Sequence, residues 1–68
     1  MLRLRQLREE NGLTRAELGG KAGVHPSHVG AIENGRQVPS GDSVTLHKLA
    51  IALDWRKEPV GLLEEVNK

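Results

Sequence analysis

A chain of 68 residues has room for one domain and one core, since it buries only about 60% of the surface its unfolded form exposes, and a deep catalytic cleft is excluded on that ground. Its apolar stock is Leu, Val, Ile and Ala with one Trp and neither Phe nor Tyr, which suits packed helices better than a sheet. The formal net charge is +1, and with no cysteine neither a disulfide framework nor a thiolate metal site can hold the fold.

The charge is unevenly spread: residues 1–36 carry six Lys and Arg against four acids, and residues 37–68 four against five. The basic excess therefore lies in the N-terminal half. In Met1 to Arg8 arginines interrupt the apolar residues, so no signal-peptide hydrophobic region forms, and no later run approaches the ~20 apolar residues that span a bilayer. A soluble, cytoplasmic protein without membrane contact is expected.

In chain order, Leu4 and Leu7 recur at helical spacing and Asn11-Gly12 supplies a stop, predicting a first helix over 2–10. Thr14 with Glu17 three residues later is a capping box opening a second helix over 15–22, with Leu18 and Ala22 inward. Gly19 and Gly20 weaken that helix by up to ~1 kcal/mol each relative to Ala. Close approach of a neighbouring backbone is the expected reason. Gly23 ends it, and Pro26 suits the first position of a third helix over 26–33, with His25 as an uncommon cap and Val29 and Ile32 inward. Two turns of helix are not stable alone, so its neighbours must clamp it. Residues 36–41 read as a loop, and Asp42 or Ser43 caps a fourth helix over 43–53 with Leu46, Leu49, Ala50 and Leu53 as its buried stripe. Trp55 then plugs one end of the core, and Glu58-Pro59 starts a fifth helix over 59–66.

Residues 14–33 thus form two short helices joined by a Gly-containing turn, a helix-turn-helix. The ordered set Leu7-Arg8, Leu13-Thr14, Glu17-Leu18, Gly23-Val24, Ile32-Glu33-Asn34-Gly35-Arg36, Pro39-Ser40, Leu49-Ala50, Ala52-Leu53-Asp54 and Leu62-Leu63 resembles the phage-repressor (Cro/cI-like, XRE) helix-turn-helix family along nearly the whole chain. The resemblance implies an all-α, compact five-helix repressor-like domain that binds double-stranded DNA, with its third helix in the major groove.

It also implies roles for residues. Arg15 matches a phosphate anchor where the family more often has Gln, and its planar fork suits a phosphate. The Asn34 backbone and Arg36 resemble further phosphate contacts, which set register without carrying sequence information. Base reading falls to the third helix near its start, here Pro26, Ser27, His28 and Ala31, with the cap His25 beside them. Lacking the bidentate pairings of Arg with guanine or Gln with adenine, this face predicts modest direct readout. Gln37 or Arg36 adds a contact near a minor groove. Arg8 and Glu33 resemble a buried ion pair tying the first helix to the third. Between Pro39 and Leu49 the chain is longer than the family pattern, with Gly41-Asp42 as the insertion, so Ser40 is left out of the site.

Other chemistry lacks its residues. His25 and His28 stand i, i+3, but no Cys or nearby acid completes a metal site. Ser27, His28 and Asp42 show neither motif nor spacing of a nucleophile elbow, so an enzyme is not expected, nor a cofactor or small-molecule substrate. A homodimer on two half-sites is the expected assembly, with Val60, Leu62, Leu63 and Val66 of the fifth helix as the contact surface or, equally, as the close of the core. An antitoxin-like or adaptor module that binds a partner chain on the same scaffold stays open beside the regulator, favoured by the low net charge and the weak base-reading face.

Overall fold

Three of the four α-helices among the described residues start at a side-chain cap. In the computed structural model, which describes residues 1–66, the helices are α1 (Arg3–Glu10), α2 (Arg15–Ala22), α3 (Pro26–Glu33) and α4 (Val44–Ala52), followed by a 3-10 helix, Pro59–Leu63. At the start of α2 the Glu17 N–H donates to Thr14 Oγ1 at 3.0 Å and the Thr14 N–H donates to Glu17 Oε1 at 2.9 Å. The capping box is complete, and it satisfies two donors that a helix start would otherwise leave unpaired. Ser43 caps α4, accepting from the Leu46 N–H at 3.2 Å. Gly41-Asp42 forms an exposed turn ahead of it, closed by the Ser43 N–H on Ser40 O at 3.0 Å.

The core is wholly aliphatic. Leu4, Leu18, Val29, Ile32, Leu46, Leu49 and Leu62 are fully buried, so each of the four α-helices contributes to one cluster. Each such side chain contributes about 1.5–3 kcal/mol when removed from water, which is how α3 is held despite its length. Trp55 is half-buried and packs against this cluster instead of filling it.

The turn between α2 and α3 explains one of the two glycines in α2. Gly23 takes the left-handed conformation at φ 73°, and the Val24 N–H folds back to Gly19 O at 2.9 Å. A side chain at Gly19 would run into the Val24 carbonyl oxygen and stand 3.3 Å from Pro26 N. Gly20 has open space where its Cβ would be, so the close approach expected for both residues holds for Gly19 alone.

The fifth α-helix expected over 59–66 is not formed. After the 3-10 helix, Glu64 is extended at φ −71° and ψ 140°. The backbone there pairs with the chain start: Arg3 N donates to Glu64 O and Val66 N to Met1 O, both at 2.8 Å, around an isolated antiparallel bridge between Leu2 and Glu65. Helical geometry would remove those partners. Gly61 also sits inside the expected helix, where it is a poor helix former.

Candidate nucleic-acid interface

The helix-turn-helix presents one face of α3 to the outside. His25 and Ser27 are exposed, Pro26, His28 and Ala31 are partly exposed, and Val29, Gly30 and Ile32 are buried behind them. The expected split of outward and inward residues along α3 is present.

At its start, His25 is the cap. The Ser27 N–H donates to His25 Nδ1 at 3.1 Å, and Ser27 Oγ lies 2.7 Å from the same nitrogen. A backbone N–H only donates, so Nδ1 is the unprotonated nitrogen and the hydroxyl hydrogen turns toward it. The ring then offers an Nε2–H donor outward, and the Ser27 oxygen offers acceptor lone pairs. His25 and Ser27 therefore form a matched donor and acceptor at the tip of α3.

Behind this face lies a charge network on Glu33, whose side chain is only 1% exposed. Arg8 donates to it twice, Nε to Oε2 at 2.7 Å and Nη2 to Oε1 at 3.1 Å, while Arg8 Nη1 donates to Leu13 O at 2.8 Å. One guanidinium thus fastens α1, the approach to α2 and the end of α3. The hydrogen bond to Glu33 raises the Arg8 pKa above its ordinary value, outweighing the opposing effect of burial.

Arg15 is also on Glu33, with Nε 3.1 Å from Oε1. Sequence reasoning gave Arg15 a phosphate role and missed this second attachment. Its side chain is 42% exposed and lies over Gly30, where an added Cβ would stand 3.4 Å from Nη1 and 3.7 Å from Cζ. The absent side chain at Gly30 is what makes room for the guanidinium between α2 and α3. No hydrogen bond engages the Nη groups among the described residues, which leaves the outer edge of the fork open.

At the far end of α3 the geometry redirects one expectation. The Asn34 N–H donates to Gly30 O at 2.9 Å, and those of Gly35, Arg36 and Gln37 donate to Ile32 O and Ala31 O. The Asn34 backbone is thus engaged within the helix end and has no donor for a phosphate. The exposed polar groups here are the side chains of Asn34, Arg36 and Gln37.

The expected dimer residues divide. Leu62 is fully buried in the core and cannot face another molecule, Leu63 and Val66 are partly buried, and Val60 is 48% exposed. Val44 and Ile51, two turns apart on α4, are more exposed than any of them, at 69% and 79%. No helix is long and apolar enough to cross a membrane among the described residues.

A protein-family model described as a helix-turn-helix domain matches residues 2–58. Comparison with curated proteins and with solved structures gave no match.

Proposed function

The chain belongs to the helix-turn-helix domain family, and on that premise we propose that it is a sequence-specific transcriptional regulator that binds double-stranded DNA with α3 in the major groove. The observation that carries this reading is the outward face of α3, His25 to Ala31, standing on a buried core and flanked by cations. Arg15, over Gly30 and bonded to Glu33, and Arg36, just past the helix, both stand toward its C-terminal end, and each is suited to a phosphate beside the groove. Glu33 fixes Arg15 through Nε, so the free edge of the fork is presented without losing further side-chain freedom on binding.

Direct readout by this face is modest, because His25 Nε2 and the Ser27 oxygen each make single hydrogen bonds, and Pro26 and Ala31 give apolar contact of the kind a thymine methyl accepts. Much of the affinity then comes from phosphates, and sequence preference draws also on groove shape near Arg36 and Gln37. Two copies bind half-sites one helical turn apart, ~34 Å. The exposed large apolar side chains among the described residues, from which a second copy's contact can be built, are Val38, Val44, Ile51 and Val60.

The test is selection of duplexes from a random pool, followed by titration of the selected and scrambled duplexes at several salt concentrations. A selected consensus, with log affinity falling by about 0.9 per log of salt for each phosphate contact, supports the reading. Weak binding without preference and without a salt slope overturns it and returns the domain to the adaptor class.

A further inference from the structure

At the end of α1 away from Glu33 the molecule carries a second polar site, which the DNA reading does not use. It is an open cleft of about 530 Å³ lined by Arg3, Trp55, Lys57, Gly61 and Glu64 among others. The Trp55 ring is fixed in its wall. Trp55 Nε1 donates to Glu58 O at 2.8 Å, and the ring lies so close to Gly61 that an added Cβ there would stand 2.9 Å from Cζ2.

Two cations converge on that ring. The Arg3 guanidinium carbon is 5.5 Å and Lys57 Nζ 5.6 Å from its centroid. Neither forms an ion pair among the described residues. Arg3 Nε is, moreover, buried without a hydrogen-bond partner. A desolvated guanidinium N–H is a strong donor whose unmet bond is costly, so an acceptor that reached it would be bound well.

The acids in the lining decide what kind of acceptor fits. Glu58 and Glu64 make the lining formally neutral against Arg3 and Lys57, so no net field draws a doubly charged phosphate, and a singly charged group is held here by direct bonds to the two cations that lack an ion pair among the described residues. The apolar surface of Trp55 and Val60 suits a hydrocarbon body behind that charge. We infer that this cleft binds a small monocarboxylic acid, with its carboxylate on Arg3 and Lys57 and its apolar part against Trp55 and Val60. The site shares no residue with the α3 face, and Val60 is the one lining residue that it has in common with the apolar surface offered to a second copy.

Trp55 is the single Trp of the chain and therefore reports on the site directly. The full chain is titrated with hexanoate, with inorganic phosphate and with chloride at matched ionic strength, and Trp55 emission is followed. A saturable change with hexanoate alone is expected. Arg3→Gln should weaken it roughly ten- to hundredfold, the value of a charge-assisted hydrogen bond. Lys57→Gln, at an exposed position, should weaken it by a smaller factor and decides the matter if Arg3→Gln disturbs the pairing with Glu64. The inference is overturned by the absence of a saturable response, by an equal response to phosphate or chloride, or by a hexanoate response that Lys57→Gln leaves unchanged.

Discussion

Replacing Gly19 and Gly20 one at a time by alanine should move stability in opposite directions, although the residues are adjacent in the same helix. Each glycine forgoes up to ~1 kcal/mol of helix propensity relative to alanine. Gly20 is exposed with nothing within 4 Å of an added Cβ, so Gly20→Ala should stabilise by about 0.5–1 kcal/mol. At Gly19 the added atom meets the Val24 carbonyl oxygen and the backbone nitrogen of Pro26. Neither is the loose end of a side chain. Relief requires moving the turn that the Val24 N–H closes on Gly19 O, and with it the first residue of α3. Overpacking of this kind costs typically 1–3 kcal/mol and more where backbone must shift, leaving a net loss of roughly 1–2 kcal/mol after the propensity gain. For a domain of this size about 1 kcal/mol moves Tm by ~4–8 °C. Thermal unfolding followed by far-UV circular dichroism should therefore place Gly20→Ala above the parent and Gly19→Ala well below it. A Gly19→Ala protein as stable as the parent would refute the claim that close backbone approach sets the geometry between α2 and α3.

Three further substitutions test other parts of the structure. Glu33→Gln removes the one charge that faces both Arg8 and Arg15, and breaking such a buried pair costs about 3–5 kcal/mol. Set against a total of ~3–10 kcal/mol for a chain this long, urea unfolding should show a protein close to the edge of folding, with DNA binding lost as a consequence. Arg15→Gln, at a half-exposed position, should leave the melting temperature nearly unchanged while the slope of log affinity against log salt falls by about 1, the signature of one lost phosphate contact. Leu62→Ala empties a fully buried position and should cost about 2–5 kcal/mol in denaturant unfolding, with no change in self-association measured by sedimentation. An effect on self-association without one on stability would return Leu62 to the interface.

The amino-acid sequence was enough to place the starts of α2, α3 and α4 to within a residue and to sort the inward from the outward residues of α3. It also determined the pairing of Arg8 with Glu33, through the family resemblance. The starts were legible because caps and turns act within three or four residues, as in the Thr14–Glu17 box and the Pro26 start. The features that escape a local reading involve partners far apart in the chain. The 59–66 segment carries a helical apolar pattern, yet the backbone of Met1 and Arg3, some sixty positions away, offers Glu64 and Val66 hydrogen bonds that a helix would forfeit. Leu62 joins the core for the same reason, since the bridge at Leu2 and Glu65 fixes which way that segment turns. Arg15 looks like a free surface cation in any local window, and it became Glu33's second partner only because Gly30 brings α3 within reach of its guanidinium. Spacing and propensity encode what neighbours do to each other, whereas the choice among distant acceptors is made by packing, after the helices have met.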